Sequence, residues 1–422
     1  MDDHGFKVLP SAGGIPCRQF LKRVAAGAAG SLLALSGLGR NSLRATTAPL
    51  AVEASEAAMT ATTTTGPSFV DPTANFVNRE HVSLGQLVYV APFTRLYAGP
   101  DREHTIVLGH ETNIQDSVML TAAGGSIYLG EQVIVAHGAV VKGPARLGME
   151  GHCPDGGVVC PSFVGFNAEV DGAIIEKDAM VSSLARVAPG VTIPSGRSVL
   201  PGKNVASNAE VAANTVPVTE ADRAFMQGVI EVNVAFARQY TQLAAEDPSN
   251  VSGINYDPGN TAFNPTRELP TLNGKRTRDP GFRNRIIGDV RLADEQPMLD
   301  RVLGSRISLR ADEGEPFEVG SITTMEDQTT FHALEHSHLQ LGARGHYGTH
   351  SLVHGGPNSE DPTSTGANFV LGDQAVFFCS RAGSNCRIGA KSLVQQSNLP
   401  DGTVISDHTV IINNEMVGRV EW

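Results

Sequence analysis

Short aliphatic runs ending in glycine, repeated at near-constant spacing, constrain this chain more than any other feature. From Asp71 and Pro72 onward, Val107-Leu108-Gly109, Tyr128-Leu129-Gly130, Arg146-Leu147-Gly148 and Phe163-Val164-Gly165 follow one another, and the same grammar returns at Val319-Gly320, Leu341-Gly342, Leu371-Gly372 and Ile388-Gly389. An inward aliphatic about every six residues, with a small residue at the corner, is the pattern of a parallel β-helix whose rungs bury their cores against one another. Composition agrees. With 45 Gly among 422 residues and only 5% aromatics, the chain suits narrow coils with tight corners. Long alternating strands of the kind a sandwich needs are not seen in the sequence.

The rhythm breaks once, which divides the chain. The first coil with its trailing helix is expected over 70–246, a linker over 247–284 and a second coil over 285–422. Thr219 with Asp222 three positions later is close to a capping box, and Phe225, Val229, Val232, Phe236 and Tyr240 form an apolar stripe at helical spacing, read as packing surface. Pro, Asn and Gly crowd the linker. Ahead of the first coil, residues 1–40 resemble an export signal, with Arg18, Lys22 and Arg23 preceding the apolar stretch Val24 to Leu38. Cys17-Arg18 stands where a twin-arginine route would place two arginines. Residues 41–69, rich in Ala and Thr, read as a spacer. These features predict an exported protein, periplasmic or extracellular, with no transmembrane partner. A net charge of −12 argues against nucleic acid as a partner, because a backbone-binding surface needs concentrated Lys and Arg. Cys153 with Cys160, and Cys379 with Cys386, are close enough in sequence for disulfides in an oxidising compartment.

The histidines are divided between the coils. The second carries His332-Ala333-Leu334-Glu335 and His350-Ser351-Leu352-Val353-His354, while the first carries Ala136-His137-Gly138. Both coils resemble gamma-class carbonic anhydrases. The resemblance rests on Asn113-Ile114-Gln115-Asp116, Ala136-His137-Gly138, Val191-Thr192-Ile193-Pro194 and the helix in the first coil, and on Leu309-Arg310-Ala311-Asp312-Glu313-Gly314 and His332 to Glu335 in the second. It implies an all-β chain of tandem left-handed hexapeptide-repeat β-helices and a homo-oligomer built on trimeric rings. It also implies zinc, with iron or cobalt as other metals, and the reversible hydration of carbon dioxide to bicarbonate.

Carried over by position, the resemblance makes His332 and His354 metal ligands. The middle ligand falls on Thr349 in the second coil, one residue before His350, whereas His137 holds that position in the first coil. There Thr121 and Lys142 replace the other two ligands. Two third ligands therefore stand open: His137, giving a site composed from both coils of the same or another chain, or a displaced His350. Stacked rings would separate His137 from His332, whereas mixed rings would join them. The resemblance further makes Glu335 a proton-shuttle acid, Glu313 a neighbouring proton-transfer acid, and Arg310 with Asp312 an interfacial ion pair. Gln115 becomes the residue that orients the attacking oxygen, with Glu326 at that position in the second coil and Asp101 as a loose match for an acidic partner. Two other classes compete: a noncatalytic assembly protein, and a hexapeptide-repeat acyltransferase, which leaves the histidine and arginine motifs unused.

Overall fold

The structure, a computed structural model, describes residues 65–251, 254–255, 283–294, 296–313, 317–334, 337–356 and 362–422. The proposed signal, nearly all of the spacer, most of the linker and Glu335 lie outside them. In each coil every third strand pairs in parallel with the one a full turn later, which generates three sheets around a triangular core. Module one has sheets of eight, seven and six strands, and module two has nine, six and five. This is the all-β, tandem left-handed β-helical architecture expected from the repeat.

Corners explain the repeat. Leu87, Phe93, Glu111, Ser117, Gln132, Asn167 and many others adopt φ between 50° and 63°, the left-handed turn that swings the chain from one sheet to the next. Inward residues then stack in columns. Ile114, Val135, Val164, Val181 and Val199 fill one wall of module one, and Leu309, Phe331, Val353, Phe377 and Val394 fill one of module two. Each buried aliphatic contributes about 1.5–3 kcal/mol.

The modules dock sheet against sheet. On the eight-stranded sheet of module one, outward Ile134, Phe163 and Met180 are buried against outward Leu352, Val376, Leu393 and Val410 of the nine-stranded sheet of module two. Both faces of these module-two strands are therefore dry, which is why Ser308–Ala311, Thr330–Ala333 and Leu352–Gly355 are buried at every position. Polar bonds close the seam at several levels. Arg285 meets Asp71 at 3.2 Å, Asn167 donates to the carbonyls of His350 and Gln374 at 3.1 and 3.0 Å, and Trp422 Nε1 donates to Leu184 O at 2.6 Å.

The helix Glu220–Glu246 leaves module one and crosses this seam. Its start is a complete capping box, Thr219 and Asp222 each satisfying the other's backbone N–H, and Arg223 grips Asp178 through two bonds of 2.8 and 2.7 Å. Among the described residues no helix is long and apolar enough to cross a membrane. Cys153 and Cys160 form a disulfide. The second anticipated pairing does not form: Cys386 is a free thiol pointing into the core of module two, whereas Cys379 sits at a left-handed corner.

Candidate metal centre

Three imidazoles meet at the seam. His332 and His354 are cross-strand neighbours on adjacent rungs of module two, and His137 arrives from a corner of module one. Their ring centroids form a nearly equilateral triangle of 5.1, 5.1 and 5.4 Å. Each offers one ligand atom within 4.8 Å of the others, and all three are buried. Within one chain, then, the fold joins the histidines that the sequence divides.

The corner decides which residue reaches the centre. His137 precedes Gly138, whose φ of 70° makes the turn, and a Cβ there would lie 1.9 Å from Asn167 Oδ1. His350 occupies the matching turn position of module two, with φ 57°, so it does not join the cluster. Its side chain faces Arg95 and Arg306 instead, and burial together with these guanidinium groups pulls it down to about 4. The displaced-ligand expectation for His350 is thereby corrected, the left-handed turn being the reason.

Carboxylates and one guanidinium surround the imidazoles. His332 Nε2 lies 2.9 Å from Glu313 Oε1 and 3.6 Å from Asp312 Oδ1. His332 Nδ1 is 3.3 Å from His354 Nε2, and His354 Nδ1 is 3.2 Å from Gly355 O. Across the seam, His137 Nδ1 lies 3.1 Å from Asp116 Oδ2. Arg310 bridges the two modules, donating to Asp116 Oδ2 at 2.6 Å and to Asp312 Oδ2 at 2.9 Å, while Ser308 donates to Asp116 Oδ1 at 2.5 Å. Phe166 stacks on His137 and His354, and Phe378 meets His354 edge-on.

Charge around the centre is unbalanced. Asp116, Asp312 and Glu313 place three carboxylates against the one guanidinium of Arg310, an excess of two negative charges in a dry site while the imidazoles are neutral. Burial alone would raise Asp116 and Asp312, but Arg310 and the imidazoles hold both far below the usual carboxylate range. Burial pulls His137 down to about 4 and His354 well below its ordinary value. His332 goes the other way: burial lowers it, yet Glu313 and Asp312 lift it to about 9.

A pocket partly open to solvent reaches this centre. Gln115, Glu313, His332 and His354 line its floor, and Phe163, Phe166, Phe225, Val229, Val232 and Asn233 its walls. The helical stripe is thus divided in use: Phe225, Val229 and Val232 wall the pocket, while Phe236 and Tyr240 pack beside Arg310 and Asp312. Gln115 is held by the backbone N–H of His137, which donates to its Oε1 at 3.2 Å.

Other expectations need correction. Glu326 is exposed and does not line the pocket. Asp101 is an exposed partner of His104 at 2.6 Å; the acid that meets Arg310 from module one is Asp116. The strand pairing gives the reason, since Asp116 lies at a corner on the docked face. In the sequence Asp116 carries no legible role, and Tyr240 reads only as packing surface. A tyrosine ending an otherwise aliphatic and phenylalanine stripe was the available signal, because a buried phenol takes a hydrogen-bond partner.

No family model matches the chain. A carbonic anhydrase of Methanosarcina thermophila is 27% identical over 198 residues, covering 42% of this chain and 73% of that protein. The mitochondrial gamma carbonic anhydrase 1 of Arabidopsis thaliana is 28% identical over 137 residues, 31% of this chain and 44% of its own length. The carboxysome assembly protein CcmM of Nostoc is 26% identical over 145 residues, 32% of this chain, and the chain spans only 24% of that relative. With the doubled coil and the histidines on its adjacent rungs, the chain resembles the gamma-class carbonic anhydrases.

Proposed function

We propose that the chain is a zinc-dependent carbonic anhydrase with one composite site, built from His137 of module one and His332 and His354 of module two. The observation that carries this reading is the convergence of three buried imidazoles beside three carboxylates that share one guanidinium. Three nitrogen ligands on tetrahedral zinc at 2.0–2.1 Å stand roughly 3.3 Å apart, and the His332–His354 nitrogen separation is 3.3 Å. A divalent ion also neutralises the charge excess. Iron or cobalt would satisfy the same donors. When bound, such an ion supplies Lewis acidity that brings the pKa of water towards neutrality.

The chain's own groups complete the chemistry. Asp116 beside His137 and Glu313 beside His332 hold the rings in place. Gln115, its oxygen engaged by the His137 backbone, leaves its amide NH2 to orient an oxygen in the pocket. Phe163, Phe225, Val229 and Val232 offer carbon dioxide an apolar wall and shed water. Glu313, on the pocket floor, can take a proton and pass it outward; Glu335 has that outer relay role in the same proposal. The Cys153–Cys160 disulfide supports an exported setting. A homo-oligomer belongs to the proposal as well, and a measurement of the solution mass tests it.

Zinc content and carbon dioxide hydration of the purified chain test the reading. About one tightly held zinc per chain, with hydration activity that falls on its removal and returns on its restoration, is expected. A chain that holds no zinc, iron or cobalt would be an assembly module instead, the role named for the carboxysome relatives.

A further inference from the structure

We propose that Tyr240 is a positioning residue of this centre, acting on His332 through Asp312. The inference rests on the reading that the three histidines hold a metal. Tyr240 ends the apolar stripe of the seam-crossing helix and is fully buried, with its ring centroid 5.0 Å from Phe69, 5.5 Å from Phe236 and 5.9 Å from Tyr89. Its hydroxyl donates to Asp312 Oδ2 at 2.5 Å. Arg310 Nε and Nη2 reach that same oxygen at 2.9 Å.

Two donors, the Tyr240 hydroxyl and Arg310 Nε, therefore converge on Oδ2, while Asp312 Oδ1 is buried without a hydrogen bond. That free oxygen lies 3.6 Å from His332 Nε2. A carboxylate held by one guanidinium can swing about its bond to Cβ, and Arg310 is shared with Asp116. Tyr240 comes from the other module and holds the carboxylate from a second direction. Its hydroxyl thus keeps Oδ1 turned towards His332 Nε2, the nitrogen that Glu313 Oε1 also meets, at 2.9 Å. The seam-crossing helix of module one, which walls the pocket, is in this way tied to the orientation of a module-two ligand.

Tyr240→Phe removes the hydroxyl and nothing else, and Tyr347→Phe is its control. Tyr347 is an equally buried phenol in the core of module two whose hydroxyl has no hydrogen bond. Zinc affinity is measured by competition with a chromophoric chelator, alongside the visible spectrum of the cobalt-loaded protein and the thermal unfolding of the metal-free protein. Tyr240→Phe should weaken zinc roughly tenfold or more, as losses around metal-bound histidines do, and should shift the cobalt bands, with Tyr347→Phe changing neither. In an Asp312→Asn background, Tyr240→Phe should add little, because both act through one carboxylate. Native zinc affinity in Tyr240→Phe, or a loss that is undiminished in the Asp312→Asn background, overturns the proposal. A native chain that binds zinc but does not hydrate carbon dioxide overturns the proposed function alone, since affinity still reports on Tyr240. A native chain that binds no metal overturns both.

Discussion

In module two His332 and His354 are cross-strand neighbours, and in module one the neighbours at the matching place are Thr121 and Lys142. The rungs are alike and the outcomes differ. His332 has a side chain 4% exposed and faces the other module, whereas the Lys142 side chain is 37% exposed and pairs with Glu169 at 2.9 Å on an outer sheet. Arg186 joins that outer network through Glu169 and Asp171. The column tells the same story one rung earlier, where Arg310 precedes His332 and Tyr97 precedes Thr121. What separates the two copies is which sheet meets the seam. A position in the seam is dry and can hold imidazoles against carboxylates, whereas the same position facing water supports a solvated ion pair worth at most about 1 kcal/mol.

The largest effect should come from testing that division directly. His137→Ala and His354→Ala each remove one of three donors, and carbon dioxide hydration should fall on the order of a thousandfold with loss of bound metal. Lys142→Ala, at the place that matches His354 in module one, should leave metal content and rate within about twofold, since an exposed ion pair does little. Metal analysis with stopped-flow hydration measures all three. If Lys142→Ala also emptied the centre, the outer sheet would be coupled to the seam and the contrast between modules would fail.

A smaller but still severe effect is expected at the bridge. Arg310→Ala leaves Asp116 and Asp312 buried without their shared cation, and breaking such a pair costs about 3–5 kcal/mol. Arg186→Ala in the outer network of module one should cost under about 1 kcal/mol. Denaturant unfolding of the metal-free protein separates the two, and equal losses would show that the seam is no drier than the outer sheet.

These contrasts mark what the sequence could carry. The coil was legible because its period is local: a glycine or left-handed corner and an inward aliphatic recur within each rung, and every rung repeats the statement. His332 and His354 were legible through motif spacing. The choice between His137 and His350 was not, because it depends on which sheets dock, and docking is written in outward residues such as Ile134, Phe163, Leu352 and Val376 that read locally as ordinary strand positions. Asp116 escaped for the same reason. Its partner Arg310 is 194 residues away, and no short-range pattern joins them. The pairing of Cys379 with Cys386 failed because Cys386 points into the core while Cys379 is already disulfide-bonded, and spacing along the chain says nothing about either.

His350 gives the gentlest test of the comparison, because it is the module-two histidine that the corner keeps out of the centre. Burial and the neighbouring Arg95 and Arg306 hold it at about 4, with Asp327 opposing them. Its ordinary value is 6.5, so the unfolded chain binds the extra proton first as the pH falls. The stability it contributes is therefore present above about pH 6.5 and is lost progressively down to about pH 4, by an amount on the order of 1–2 kcal/mol once its partial exposure is discounted. His350→Asn keeps a residue that tolerates the left-handed corner and removes the titration. Unfolding midpoints across this range should flatten in the variant by that amount, while zinc affinity at pH 8 stays native. An unchanged acid slope would assign the loss to other groups. A fall in zinc affinity would mean that the turn at His350, bonded through its carbonyl to Asn167 of module one, sets the approach of His137 to the centre, and the two corners would then be parts of one device.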